Sequence, residues 1–359
     1  MSRLNILFAV HDWGLGHATR DLVLIRGALA AGHAVTVISA GRALALLRQE
    51  LNRDCEFIEL RDIPKPLSRW APWFYIRMSL ALPQVFATFR RERRIVEKLC
   101  RERHFERVVS DSRYGVCSRD VPSFYINHSL RQIIPGRPRG LEKMVEWFQK
   151  KILGGATKIL IPDRRDNGLA GDLCHDVACE WGDRLEYIGI LSSIERRSTE
   201  PDIDYFISVS GAEPQRTIFE KLVLAQVRDL PGRIVVALGR PDAATEVKDD
   251  GRIAIHQFMD RAQQQEMMNR ARLIVSRSGY TTMMELAELG KRALLVPTRG
   301  QSEQEYLAAH HERRGHFRGV VQSELVLGRD AALAEGYRGL PPFAPTRESV
   351  RNFLNVVCR

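Results

Sequence analysis

Directly after the first apolar run stands Asp12-Trp13-Gly14-Leu15-Gly16-His17, two glycines and an imidazole where a strand gives way to a helix. Such a turn exposes backbone N–H groups and a positively polarised helix end to an anionic ligand. His17 at the helix start can serve as a general base, a role worth about 10²–10⁴-fold in rate, or lie against phosphate. Arg20 and Asp21, three and four residues on, share its helical face, and by that spacing Asp21 is placed to orient the ring. The plainer alternative is a glycine turn whose histidine is satisfied by local backbone. Asp111 and His128 each follow an apolar strand of the first half, where strand ends carry ligand-binding groups. Asp111 is thus a rival base, and His128 a residue to bind or orient an acceptor. Either could instead satisfy turn amides.

A second constellation, Ser276-Arg277-Ser278-Gly279, follows a late apolar run. Gly279 permits close approach of a ligand to the backbone, Ser278 and Thr281 offer hydroxyls, and the helix beyond contributes its positive end. Those are the requirements of a diphosphate site. Glu285 on that helix has two readings of equal weight: a ligand contact, or the partner of Thr282 in a capping box. Further on, Gln301, Glu303, Gln304 and Glu305 gather amides and carboxylates after another strand. Such groups suit sugar hydroxyls, which want both donors and acceptors; a polar loop entering a solvated helix is the simpler account.

The elements that must position these groups alternate. Strands are expected at Ile6–Val10, Ala34–Ser39, Phe57–Leu60, Arg107–Ser110, Ser123–Ile126 and Lys158–Ile161, with helices at Ala18–Ala31 and Arg42–Leu51 among them. The polar, aperiodic stretch 191–204 reads as a linker. The pattern then restarts with strands at Tyr205–Ser210, Arg233–Ala237, Ile253–His256, Leu273–Ser276 and Ala293–Val296, and closes on a helix near Arg347–Val357. The expectation is an α/β chain of two doubly wound, Rossmann-like domains, 1–190 and 205–345, with a C-terminal helix over 346–359 packing back on the first.

Composition narrows the function classes. At 44% hydrophobic and 27% charged, the chain is that of a globular protein rather than a disordered one. No apolar run reaches the roughly 18 residues of a spanning helix, and the opening run is too short for a signal peptide, so a cytoplasmic protein is expected. The formal charge of +10 favours anionic partners. The basic residues are spread widely and match no nucleic-acid fold signature, which argues against nucleic acid. Six scattered cysteines form no Cys-x-x-Cys pair; Cys174, His175 and Cys179 are the one cluster, too loosely spaced for a closed zinc site, so no metal is expected. Thr19 stands where a dinucleotide fingerprint has its third glycine, and no acidic residue ends the second strand, against a nicotinamide enzyme. The aromatic segment around Trp70, Trp73 and Phe74, flanked by arginines, suits a membrane interface on the inner face or a lipid-linked acceptor, and equally a helix buried on the sheet. Arg90-Arg91-Glu92-Arg93-Arg94 reads as a solvated helix face.

Taken in order, these pieces resemble the MurG-like glycosyltransferases, two-domain GT-B enzymes that use nucleotide sugars. The match is most specific over Phe258–Gly315, with Phe258-Met259-Asp260, Ser276–Gly279, Glu285, Pro297 and Gln301–Gln304 in the family's order. Gly14–Arg20 is similar to the family's first glycine loop, and Ser110–Gly115 and Ser210–Thr217 resemble a branch of predicted glycosyltransferases. The resemblance implies two domains facing a cleft, with UDP-sugar the expected donor. It implies that backbone near Phe258 and Met259 holds the base, Ser278 and Gly279 line the diphosphate, and Glu285 binds the ribose. Gln301 and Gln304 would reach the donor sugar, while the loop holding Gly211, with Arg216, would stabilise the departing diphosphate. Gly14, Gly16 and His128 would belong to the acceptor side. It implies no cofactor, no bound metal and inversion at the anomeric carbon. Thr298-Arg299-Gly300 departs from the family's usual histidine or aromatic loop, which leaves the sugar open. A nucleotide-sugar hydrolase or epimerase on the same scaffold, or a non-catalytic nucleotide-sugar binder, are the rival readings.

Overall fold

The computed structural model describes residues 2–63, 71–177, 181–240 and 247–359, and the side chains of all of these except 71–80. It divides into two compact units, Met1–Ser193 with Ala344–Arg359, and Ile194–Phe343.

The first unit runs β1 (Asn5–Val10), α1 (Leu15–Ala30), β2 (Ala34–Ser39), α2 (Gly41–Leu51), β3 (Glu56–Glu59), α3 (Ala71–Arg103), β4 (Arg107–Asp111), β5 (Ser123–Ile126), α4 (Arg139–Ile152), β6 (Lys158–Ile161) and β7 (Leu185–Tyr187). Its strands form one parallel sheet in the order β3-β2-β1-β4-β5-β6-β7. Runs such as Ile6–Val10 are buried at every residue, as a parallel sheet covered on both faces requires. Strand order reverses direction between β1 and β4, whose register sets Val10 beside Asp111. The chain therefore leaves the sheet there at two adjacent points, the place where such sheets bind ligands.

The second unit runs β8 (Ile203–Ser208), α5 (Gln215–Gln226), β9 (Ile234–Ala237), β10 (Val247–Asp249), β11 (Ile253–His256), α6 (Arg261–Arg270), β12 (Ala271–Ser276), α7 (Tyr280–Leu289), β13 (Arg292–Leu295), α8 (Ser302–Arg313), β14 (Arg318–Gly319) and α9 (Leu327–Ala334). The sheet order is β10-β11-β9-β8-β12-β13-β14, parallel except where β10 meets β11. Here the reversal falls between β8 and β12. Finally α10 (Thr346–Val357) belongs to the first unit. Phe353 packs on Phe8 with ring centroids 5.9 Å apart, and Gly27 of α1 lies so close to Val350 that a Cβ there would be 2.3 Å from its methyl. Glycine is what lets the two helices approach.

Several expectations need correction. The helix after the first glycine loop begins at Leu15, not Ala18, so Gly16 and His17 lie inside it with Gly14 as N-cap. Ile203 and Asp204, read as linker, are the first residues of β8. Upstream of them the stretch is pinned rather than loose: Ile194 is fully buried, and Asn269 holds the Arg197 amide at 2.7 Å. Arg90–Arg94 is not wholly solvated, because Glu92 is buried against Arg113. The short strands β7, β10 and β14 carry too few residues to show a pattern in sequence. Trp70 lies outside the described residues, as do the side chains of Trp73 and Phe74 on α3. Among the described residues no helix is long and apolar enough to cross a membrane.

Candidate functional site

In the first unit, the reversal between β1 and β4 gathers one candidate cluster. His17, in the first turn of α1, turns its Nδ1 to Asp111 Oδ2 at 3.0 Å, and Asp111 is the last residue of β4. Asp111 was a rival base by position; the structure makes it the partner of His17 instead. Asp21 was expected to orient the ring and does not: the strand register, not helical spacing, supplies the orienting carboxylate. Arg20 grips Asp111 with two nitrogens, Nε at 2.7 Å from Oδ2 and Nη2 on Oδ1. Its third nitrogen, Nη1, lies 3.0 Å from Nδ1 of His128, which draws His128 into the same buried network.

The protonation states follow from burial and charge. Burial alone would raise the Asp111 carboxyl, but Arg20 and His17 overcome it and hold it well below the usual carboxylate range. It is a fixed anion and a poor base. Burial lowers His17 to about 4, a fall that Arg20 adds to and Asp111 opposes. The imidazole is therefore neutral at pH 7, with 21% of its side chain exposed. Arg20 Nη2 also comes within 2.9 Å of Nδ1, yet that nitrogen already has Asp111 Oδ1 as acceptor. The anionic carboxylate is the stronger acceptor for the ring proton, which leaves the Nε2 lone pair free. Behind the ring, His11 stacks edge-on at 5.2 Å and is paired through Nδ1 with Asp62 at 2.5 Å. Burial pushes Asp62 up, but that bond, the His11 and Arg113 charges and the Asp12 amide together bring it down to about 2. Asp21, buried beside Asp111, is pushed well above its ordinary range by burial and by its neighbour's charge.

In the second unit, the reversal between β8 and β12 gathers another cluster. Three loops meet there, one after each of β8, β12 and β13, and Arg277 ties them. Its guanidinium donates to the carbonyls of Ser210 (3.4 Å), Gln215 (3.0 Å), Val296 (3.1 Å) and Pro297 (3.2 Å), and stacks 4.1 Å over Phe219. Burial lowers it to about 10, still a cation at neutral pH. Ser278 donates its hydroxyl to the Gln304 carbonyl at 2.8 Å, which ties the turn after β12 to α8. The Gln304 side chain accepts from the Thr298 amide (2.9 Å) and donates to Gln301 (2.6 Å), a polar cluster ordered in advance. Gly279 is the N-cap of α7. The Thr282–Glu285 capping box therefore does not form, and Glu285 pairs with Arg261 of α6 instead. A capping box does form one helix earlier, between Asp260 and Gln263, and fixes the turn holding Phe258 and Met259.

Residues 210–335 match the glycosyltransferase family 28 C-terminal domain. This lobe is a glycosyltransferase family 28 C-terminal domain. Solved structures similar over nearly the whole chain include the kitacinnamycin glycotransferase, 15% identical, covering 98% of this chain and 96% of that one at a TM-score of 0.63. MurG of Acinetobacter baumannii is 13% identical, with 99% of each chain covered and a TM-score of 0.60. Arabidopsis thaliana UGT89C1, complexed with UDP-L-rhamnose, is 13% identical at a TM-score of 0.61, covering 99% of this chain and 94% of its own. No curated protein matches the chain by sequence. With two Rossmann-like sheets and this lobe, the chain has the GT-B fold.

Within this lobe, Arg216 is engaged by the protein's own groups. Its guanidinium is turned to Glu213 and Glu220, each at 2.6 Å, and to the Leu238 carbonyl at 3.0 Å. Buried Glu220 also takes Arg240, so the charge of Arg216 is largely spent. Gly211, exposed and at φ 121°, keeps a backbone only glycine adopts readily.

In the first lobe, Asp163, Cys174 and His175 lie within 4.8 Å of one another. They do not suit a metal. The Asp163 oxygens already accept from the amides of Arg164 (2.8 Å), Leu169 (3.0 Å) and Ala170 (2.9 Å), and face His175 Nε2 at 3.1 Å. Burial pushes the Cys174 thiol well up. Cys179 lies outside the described residues. Sequence reasoning missed Arg277 as the tie among loops, and its signal was slight: an arginine between two serines in a glycine turn. It also missed Arg20 as the clamp on Asp111, although the i, i+3 spacing to His17 was in plain view.

Proposed function

We propose that this glycosyltransferase moves a sugar from a nucleoside diphosphate sugar, of the UDP class, to an acceptor hydroxyl, with His17 as the base. The observation that carries this is the His17 ring in the first turn of α1, 21% exposed and held through Nδ1 by Asp111 Oδ2 at 3.0 Å. In the reaction, Nε2 takes the proton of the acceptor hydroxyl while its oxygen attacks the anomeric carbon. The bond from that carbon to the diphosphate oxygen breaks on the opposite side, so configuration inverts and the electron pair leaves with the nucleoside diphosphate. The N-termini of α5 and α7, with the Arg277 cation behind them, stabilise the charge that develops there. Glu285, fixed by Arg261, binds the ribose, and the Gln301–Gln304 pair receives the sugar. Asp111 stabilises the imidazolium and keeps its own charge throughout.

The test is His17→Ala. Transfer should fall by about 10²–10⁴-fold with UDP affinity by calorimetry unchanged. Full turnover in the variant would remove His17 from the chemistry, and free-sugar release at full rate without acceptor would make the enzyme a hydrolase. The pH profile gives an independent check. A base that titrates at about 4 is unprotonated across the neutral range. The rate should hold as pH falls through 6.5 and decline only near 4, where Nε2 becomes occupied; a limb at 6.5 would contradict the burial argument.

Gly279 offers a cleaner probe of the donor side. Its φ is −69°, open to any residue, and a Cβ there would meet nothing within 4 Å. As the N-cap of α7 it is preferred over alanine only modestly. Gly279→Ala should change stability by less than about 1 kcal/mol, the lost cap preference opposing the gain in chain entropy. UDP affinity should drop about ten-fold, a loss of about 1.4 kcal/mol, as the methyl fills the space a diphosphate would occupy. Undiminished affinity would place the diphosphate elsewhere.

A further inference from the structure

A buried acid of the first unit has no part in the chemistry above. Asp21, on α1, is 1% exposed, and neither of its carboxyl oxygens receives a hydrogen bond among the described residues. A carboxylate buried in that way would lose its hydration with nothing in return. What it meets instead is another carboxyl: Asp111, at the end of β4, lies within hydrogen-bonding reach. Two carboxylates in contact repel, whereas a carboxylic acid donates to a carboxylate, so the contact calls for one proton between the pair.

The surrounding groups decide which of the two keeps that proton. Asp111 accepts from Arg20 through Nε at 2.7 Å and through Nη2, from His17 Nδ1 at 3.0 Å, and from the Ser112 hydroxyl at 3.0 Å. Arg20 turns its remaining Nη1 to His128 rather than to Asp21. One guanidinium thus faces two carboxyls and is spent on one. The other titratable groups around Asp111 and Arg20 are His17 on α1, His128 after β5 and Tyr125 on β5. Strands β1 and β2, which α1 covers, carry none. The charged side chains of α2 and α10, which are Arg42, Arg48, Glu50, Arg347, Glu348 and Arg351, are not buried. Among the described residues no second cation pairs with Asp21.

We propose that Asp21 is a positioning residue for the transfer reaction, a neutral carboxylic acid whose O–H donates to Asp111 and keeps that carboxylate from taking a proton from His17. Each donor on Asp111 lowers its affinity for a proton. With Asp21 donating as well, His17 gains the acceptor's proton on Nε2 and keeps its own on Nδ1, and the positive charge stays on the ring. Burial and the Asp111 charge both favour the protonated form of Asp21. Asp21 acts through Asp111 and makes no hydrogen bond to the ring. The proposal rests on the reading of His17 as the base.

The experiment compares the full chain with Asp21→Asn, which keeps a donor but cannot ionise, and Asp21→Leu, which has similar volume and no donor. Infrared difference spectra at pH 7 should show the carbonyl stretch of a protonated carboxyl in the unaltered chain and its loss in either variant, so one that fails to fold leaves the other to be read. Stability supplies a second readout. An acid that holds its proton more tightly folded than unfolded contributes stability that is present below about pH 4 and is lost as pH rises above it. The thermal midpoint of Asp21→Asn, relative to the unaltered chain, should therefore rise as pH goes from about 4.5 to 7. Turnover should fall about ten-fold in Asp21→Leu, the worth of roughly one hydrogen bond, and recover in Asp21→Asn. The acid limb of the leucine variant should move up by about one pH unit, because Asp111 with one bond fewer holds the imidazolium more tightly. A protonated-carboxyl band that neither variant removes, or a midpoint difference that does not move with pH, overturns the proposal. Those two readouts need no turnover, so they stand even where His17→Ala retains full activity. With His17→Ala impaired, full turnover and an unmoved acid limb in Asp21→Leu overturn the positioning role.

Discussion

Asp111→Asn should reduce transfer by about 10³–10⁴-fold, more than a lost hydrogen bond alone would cause. An amide nitrogen facing His17 Nδ1 can only donate. The ring would answer by accepting there and carrying its proton on Nε2, the tautomer that cannot take a proton from a hydroxyl. The amide also cannot offset the imidazolium formed during the reaction. A second effect comes from Arg20, which would be left as a buried cation without its anion, at a cost of about 3–5 kcal/mol. The two effects separate by measurement: the thermal midpoint and urea curve report the Arg20 cost, and turnover of the fraction still folded reports the tautomer. UDP affinity should change little, because the donor loops belong to the other lobe. Turnover within ten-fold of the unaltered enzyme would mean that His17 works without Asp111.

Arg277→Met carries the second large effect. The methionine roughly fills the volume beside Phe219 but donates to none of the four carbonyls that Arg277 now holds. At about 1–3 kcal/mol for each buried acceptor left unpaired, a loss of about 4 kcal/mol or more is expected even after partial hydration. The loops after β8, β12 and β13 would then move independently, and UDP affinity should fall at least about ten-fold. Arg277→Lys can satisfy one or two carbonyls and should lie between the two. Denaturant unfolding and calorimetry give both numbers. Full stability in the methionine variant would show that the loops are held by their own contacts, with Arg277 a passenger.

Much of the fold was legible because buried parallel strands are runs of apolar residues wherever they occur. Ser123–Ile126, Lys158–Ile161 and Ile253–His256 were bounded correctly from such runs alone. Local rules failed where a terminus is decided by packing rather than propensity. The first helix opens three residues early because Gly14 caps it without a side chain, and Ile203 joins β8 because Ala271 of β12 pairs with it. On α4, Glu142, Glu146 and Gln149 are buried while Met144 and Trp147 are exposed, an inversion that was invisible for a related reason. Its residues show helical spacing, but periodicity does not say which face meets the protein.

What the sequence determined by itself is the alternation of strand and helix, the two glycine loops at strand ends, and with them the fold class, all properties of near neighbours in the chain. The tertiary structure decided the chemistry. Ninety-four residues separate His17 from Asp111, and only the pairing of β1 with β4 joins them. Burial then splits their roles, since desolvation holds the imidazole neutral while Arg20 holds the carboxylate charged. Neither the register of distant strands nor the depth at which a charge sits is written in the order of adjacent residues, and those two quantities decide which group can take a proton.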